Sequence, residues 1–151
     1  MRVNPQFGMG QVYLDANAEA VRRGDRRVGT DHVVLALLAD RDSVTARALG
    51  VDLDTAREAL ERLDREALAS VGMTAADPGP VFPGRVGDRL PLTPAAKAVF
   101  TGLRKEAGRE RIGTGHVLTA LMSRTHPDPA AALFDALGVD RTVVRTRLGK
   151  G

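Results

Sequence analysis

Two histidines at matching positions are the residues best suited to chemistry in this chain. Residues 28–34 read Val-Gly-Thr-Asp-His-Val-Val, and residues 112–118 read Ile-Gly-Thr-Gly-His-Val-Leu, so His116 repeats His32 at a distance of 84 residues. An imidazole can serve as a general base or a metal ligand. A metal site needs further ligands, and the sequence offers neither histidine a recurring histidine or carboxylate partner. We interpret both as structural residues that hydrogen-bond the backbone of the preceding turn.

Other residue patterns that would indicate an enzyme are missing from the sequence. Ser43, Ser70 and Ser123 have no flanking glycine elbow and no paired base. No Gly-rich loop ends in Lys followed by Ser or Thr, so the sequence predicts no ATP hydrolysis. There are no cysteines to form disulfides or thiolate metal sites. We therefore expect no enzyme, no catalytic residue, no metal site and no cofactor.

The basic residues raise a nucleic-acid hypothesis. Lys and Arg number 22 against 19 acidic residues, and arginines cluster before each Gly-Thr motif, at residues 22–27 and 104–111. These clusters fall at the carboxyl ends of predicted helices, where positive charge complements the helix dipole. Acidic residues between them dilute a phosphate-binding track, and only 3% of residues are aromatic. A nucleic-acid-associated regulator that uses arginine-rich helix ends is the alternative function, although a nucleic-acid partner is unlikely on this pattern.

No segment resembles a signal peptide or a membrane span. The longest apolar run covers residues 33–39, far fewer than the about 20 residues that a transmembrane helix needs. We expect a cytoplasmic protein with no membrane partner.

The duplication around the histidines extends along the chain. Ala-Leu-Gly-Val-Asp occurs at residues 48–52 and again at 136–140, an offset of 88, so the second copy carries four extra residues near 126–129. Self-similarity of this kind marks duplicated helical units that complete one core together. The sequence predicts an all-α fold of two tandem four-helix repeats. Residues 1–151 would form one domain, with repeat one at about 8–71, a linker at 72–91 and repeat two at about 92–149.

Local signals place several helices within each copy. Thr93-Pro94 and Asp128-Pro129 are typical of an N-cap followed by proline at the first helical position. Thr30 and Ser43 are predicted caps in the first copy. The fourth helix should begin at Asp52 or Asp54 and bury one apolar stripe. That stripe consists of Leu53, Ala56, Leu60, Leu63, Ala67 and Val71.

These motifs resemble the paired amino-terminal repeat of Clp-family unfoldases such as ClpC and ClpA. The resemblance is carried by Gly-Thr-Asp-His at 29–32, Gly-Thr-Gly-His at 113–116 and Leu-Thr-Pro-Ala-Ala-Lys at 92–97. It implies an eight-helix pseudo-twofold bundle. It also implies a non-catalytic domain that receives proteins or peptides: Clp protease substrates, adaptors or cyclic-peptide antibiotics. With no ATPase motif here, the chain is expected to be either a stand-alone relative, which acts as an adaptor, a decoy or a peptide-antibiotic binder, or a piece of a larger ATPase chain.

The resemblance also implies site residues. Partner or peptide binding would fall between the leading helices of the two repeats, although Leu92 replaces the family's aromatic residue. The matching positions are Tyr13, Leu14, Asn17, Leu92, Lys97, Phe100 and Thr101. Phosphoarginine binding would involve Thr30 and Asp31, whereas Gly115 lacks the family's carboxylate in the second copy. Asp31 could equally be an ordinary first-turn acid.

Overall fold

The computed structural model describes residues 9–72 and 89–150, and in these ranges the regular elements are helices. The all-α prediction is confirmed. The predicted linker, residues 72–91, falls mainly outside the described residues. The helices are α1 (Met9–Arg23), α2 (Thr30–Ala36), α3 (Val44–Leu49), α4 (Leu53–Ser70), α5 (Pro94–Thr101), α6 (Leu103–Ala107), α7 (Thr114–Met122), α8 (Pro129–Leu137) and α9 (Arg141–Lys150).

The second copy's leading helix is interrupted at Gly102, so the described residues hold nine helices where eight were expected. Gly102 has φ −86° and ψ −1°, a ψ well away from the value of about −42° that continues an α-helix. Its N–H still donates to the Ala98 carbonyl at 3.0 Å, and its carbonyl accepts from Glu106 at 3.0 Å. Helices α5 and α6 together therefore correspond to the unbroken α1.

Most predicted caps are confirmed. The side chains of Ser43, Asp52, Thr93 and Asp128 each accept a backbone N–H in the first turn of α3, α4, α5 and α8. The prediction that Thr30 caps α2 was wrong, because Gly29 occupies the N-cap position and Thr30 is the first helical residue. Its hydroxyl bonds elsewhere in the core.

The apolar stripe of α4 is buried over only part of its length. Ala56 and Leu60 are buried as predicted, together with Ala59, and Leu53 and Leu63 are partly buried. Ala67 is exposed and Val71 is 69% exposed, contrary to the prediction. Helix α4 packs on α8 and α2. Periodicity identifies the apolar face but not how far the neighbouring helix reaches.

One hydrophobic core joins the two copies. The last helix of each copy packs against the third helix of the other, α4 on α8 and α9 on α3. Helices α2 and α7 cross between them. The fully buried side chains at the centre come from both copies and include Leu35, Leu38, Leu118, Leu121 and Phe134. Neither half could bury these surfaces alone.

An isolated parallel β-bridge positions the start of α5. Val28 donates its N–H to the Pro91 carbonyl and accepts from the Thr93 N–H, both at 2.9 Å. The chain entering the second copy is thereby fixed beside the start of α2. No helix in the described ranges is long and apolar enough to cross a membrane.

A buried polar network joins α2 to α8 across the two copies. The Thr30 hydroxyl donates to Asp128 Oδ1 at 2.6 Å, and the Ala130 N–H donates to the same oxygen at 2.9 Å. Arg124 Nε donates to Asp128 Oδ2 at 2.9 Å. Thr30 is fully buried and Asp128 is only 7% exposed. We call these contacts the Asp128 latch.

Asp128→Ala should lower the free energy of unfolding by about 2–4 kcal/mol, since it leaves a buried hydroxyl and a guanidinium without their acceptor. The matched control is Asp52→Ala, which removes an exposed N-cap and should cost about 1 kcal/mol. Urea unfolding followed by far-UV circular dichroism measures both. Equal losses for the two variants would contradict a structural role for the latch beyond helix capping.

Candidate partner-binding surface

One flank of α1 holds the chain segment that leads into α5. The Tyr13 hydroxyl donates to the Leu90 carbonyl at 2.8 Å, and Asn17 Oδ1 accepts from the Leu90 N–H at 2.9 Å. Asn17 is 6% exposed, and Tyr13 is partly buried against the core. The polar atoms of these two predicted site residues therefore serve an internal contact, which leaves mainly the side of the Tyr13 ring for a partner.

The α5 residues form the other side of the predicted site. Lys97, Phe100 and Thr101 share one face of α5 because they are three and four residues apart. Lys97 and Thr101 are exposed, and Phe100 is partly buried against the core. Leu92, just before the helix, is partly buried beside its bridge to Val28.

Residues 90–93 connect these two sides. Leu90 is bonded to α1, and Thr93 caps α5. Leu14 is 39% exposed on α1. We call the surface the α1–α5 face: it comprises Tyr13, Leu14, Asn17, Leu92, Lys97, Phe100 and Thr101 and combines apolar area with a single cation.

Thr30 and Asp31, the two residues predicted to bind phosphoarginine, differ in how far their side chains are exposed to solvent. The Thr30 hydroxyl is buried in the Asp128 latch. Asp31 keeps 14% of its side chain exposed, with Oδ1 3.5 Å from His32 Nδ1. That oxygen lies over Gly29, where an added Cβ would come within 2.6 Å of it. A ligand arriving here would meet the Asp31 carboxylate and not the Thr30 hydroxyl.

Both motif histidines bond the backbone, as the sequence interpretation expected. His32 Nδ1 accepts from the Gly29 N–H at 2.8 Å, and His116 Nδ1 accepts from the Gly113 N–H at 2.9 Å. The second ring nitrogen of each faces a carboxylate, Asp25 at 2.7 Å and Glu110 at 3.1 Å.

The recurring carboxylates correct the sequence analysis, which found no such partner. An acidic residue stands seven positions before His32 and six before His116, and this spacing was the available signal. A His with one nitrogen accepting from the backbone and the other held by a carboxylate is fixed in orientation. Within the described ranges no cluster of three or more His, Cys, Asp or Glu side chains could hold a metal ion.

Arg23 and Arg104, one arginine from each basic cluster, form contacts within the protein. Arg23 pairs with Asp25 at 3.0 Å and also with Asp64, and Arg104 donates to the Gly108 and Glu110 carbonyls beyond the end of α6. These contacts support the helix-end interpretation of the basic clusters. They do not favour a continuous phosphate-binding track.

The described residues form an all-helical domain whose sequence carries the same motif twice, and sequence comparison supplies its family. The family described as "Clp repeat (R) N-terminal domain" matches residues 8–135. The chain therefore belongs to the Clp N-terminal repeat family.

Its relatives are much longer proteins. The chain is 31% identical to the chaperone protein ClpC, chloroplastic, of Pisum sativum, over 91% of this chain and 14% of that protein. It is 32% identical to the ATP-dependent Clp protease ATP-binding subunit ClpA homolog of Guillardia theta, over 91% of this chain and 16% of that protein. A homolog from Trieres chinensis is also 32% identical, over 88% and 14%. The chain thus spans about a seventh of the length of these relatives.

The contacts of Asp25 generate a pH prediction. The hydrogen bond from His32, helped by Arg23, lowers the pKa of this carboxyl below its ordinary value of 3.8, against the opposing effect of partial burial. The folded state thus binds fewer protons at Asp25 than the unfolded chain does. Its contribution to stability is complete above the unfolded pKa and is lost as the pH falls through the lower folded pKa.

Asp25→Asn should therefore flatten the loss of stability below about pH 4 relative to the wild type. Urea midpoints measured at closely spaced acidic pH values show the slope. Glu58→Gln, an exposed substitution on α4, is the control and should leave the acid slope unchanged. An Asp25→Asn slope that matches the wild type would show that this carboxylate contributes no pH-dependent stability.

Proposed function

We propose that the chain is a non-catalytic module that binds a segment of another protein or a peptide on the α1–α5 face. The observation that carries this proposal is the exposure of Lys97 and Thr101 on the same face of α5 as the partly buried Phe100, together with the exposed Leu14 on α1. Binding surfaces commonly combine an aromatic or aliphatic anchor with a polar rim.

The placement of the chemically capable residues supports a non-catalytic role. The Nδ1 atoms of His32 and His116 accept backbone hydrogen bonds, and their Nε2 atoms face Asp25 and Glu110. Each imidazole is thus committed to fixing the loop before its helix. The other function considered, nucleic-acid regulation, draws no support from arginines already paired within the fold.

Membership of the Clp N-terminal repeat family supports a partner of the Clp system. The names of the relatives describe a chaperone and an ATP-binding subunit of an ATP-dependent protease. We infer that this chain receives proteins or peptides for such a system, as an adaptor or decoy, or binds peptide antibiotics. The cytoplasmic location stays an expectation, because one of the relatives is a chloroplastic protein.

The α1–α5 face can be tested with one peptide and three variants. The immobilised chain is screened against a peptide library, and the best-binding peptide is then titrated by calorimetry. Lys97→Ala and Phe100→Ala should each weaken it by about five- to thirtyfold, the range expected for contact residues. Lys105→Ala, which removes an exposed lysine on α6, should leave the affinity unchanged.

Unaltered affinity in both α5 variants, with helicity retained, would place binding elsewhere and contradict the proposed face. Equal weakening by Lys105→Ala would show that the peptide responds only to general charge. Finding no peptide that binds would argue against the peptide-binding function itself.

A further inference from the structure

The Nδ1 atom of His32 lies next to two groups that make opposite demands on it. The Gly29 N–H donates to this nitrogen at 2.8 Å, so Nδ1 carries no proton and the neutral ring has its hydrogen on Nε2. Asp31 Oδ1 lies 3.5 Å from the same nitrogen. That distance is longer than a normal hydrogen bond, and two acceptors can bond only through a proton between them. One added proton on Nδ1 would complete the pair.

The other charged groups around the ring bond its second nitrogen or lie behind that bond. Asp25, in the turn after α1, accepts from Nε2 at 2.7 Å in either protonation state of Nδ1. Arg23 of α1 pairs with Asp25 at 3.0 Å, and Asp64 of α4 pairs with Arg23. Helices α5, α7 and α8 also pack on α2, but no charged side chain in their described residues bonds the ring. Asp31 is therefore the carboxylate whose contact with His32 changes when Nδ1 is protonated.

Protonation of Nδ1 removes the acceptor of the Gly29 N–H. Two N–H groups would then face each other, and the ring would shift toward the Asp31 carboxylate. A bond between an imidazolium and a carboxylate is charge-assisted and is stronger than the neutral bond that it replaces. The carboxylate has room beside the turn only because residue 29 is a glycine, where an added Cβ would come within 2.6 Å of Oδ1.

The second copy contains the same ring without the second acceptor. His116 Nδ1 accepts from the Gly113 N–H at 2.9 Å, and its Nε2 faces Glu110 at 3.1 Å. The position that corresponds to Asp31 is Gly115. A Cβ added at Gly115 would make only an ordinary contact with Leu148, at 3.8 Å. The molecule thus carries its own control, into which a carboxylate can be introduced.

We propose that Gly29, Asp31 and His32 form a proton-operated switch, in which uptake of one proton moves His32 Nδ1 from the Gly29 N–H to the Asp31 carboxylate. Histidine is the side chain whose charge ordinarily changes between pH 5 and 8. Asp31 is the one residue of the Gly-Thr-Asp-His motif that is not buried, so the switch regulates its access to a ligand. The switch does not rest on the α1–α5 face, and it operates whether or not Asp31 binds phosphoarginine.

The test is an NMR titration of the isotope-labelled full chain from pH 8 to pH 5. The nitrogen signals of the imidazole report which ring atoms carry hydrogen. His32 Nδ1 should change from an acceptor to a protonated nitrogen, and the Gly29 amide and the Asp31 carboxyl carbon should shift with the same midpoint, the pH at which half of the rings are protonated. At His116 the Gly113 amide should follow its own ring.

Two variants exchange the difference between the copies. Asp31→Asn should lower the midpoint of His32 by about 0.5–1 pH unit, because the charged ring loses one partly exposed carboxylate, and should leave the midpoint of His116 unchanged. Gly115→Asp should raise the midpoint of His116 by a similar amount. Asp54→Asn, which neutralises an exposed aspartate on α4, is the charge-matched control and should change neither midpoint.

Three results would overturn the proposal. They are a His32 Nδ1 that stays unprotonated to pH 5, a Gly29 amide that does not follow the ring, and a His32 midpoint that is the same in Asp31→Asn as in the wild type. If Gly115→Asp does not fold, the Asp31→Asn result decides.

Discussion

The packing of each copy's last helix on the other copy's third helix is the constraint on which the rest of the structure depends. Helix α4 lies on α8 and α9 lies on α3, so neither copy encloses its own core. The apolar side chains of α2 and α7 are buried when both of these helix pairs are packed. Short helices of six to ten residues are marginal alone, and tertiary packing supplies their stability. Surfaces at the junction of the copies consequently have fixed geometry.

The two sequence copies differ in the polar residues near their contacts with each other. On one side the Asp128 latch fills the space between the copies with a buried, mutually satisfied set of polar groups. The cleft lined by Asp15, Asp40 and Thr114, formed mostly by the first copy, contains no such network among the described residues. A similar divergence separates Asp31, which lies over Gly29, from Gly115 in the second copy.

The sequence predicted what depends on local pattern and repetition. The all-α fold, the caps at Ser43, Thr93 and Asp128, and the backbone bonds of the two histidines followed from residue types at short spacing. Family membership followed from the repeated Gly-Thr motif.

What escaped prediction depends on distant parts of the chain. The Thr30–Asp128 bond joins residues 98 positions apart, so no local signal could reveal it. The exposure of Ala67 and Val71 depends on tertiary packing, which periodicity does not show, and the break at Gly102 is a small departure in one dihedral angle. The predicted site residues on α1 were placed by resemblance, and only the structure shows that Tyr13 and Asn17 also anchor Leu90.

Native-state hydrogen exchange in increasing denaturant tests the shared core most directly. If the two copies form one cooperative unit, the slowest amides of α2 and α7 should exchange with the same opening free energy and the same denaturant dependence. Two sets of amides, with α7 opening well before α2 or the reverse, would show that the copies unfold separately and would contradict the account.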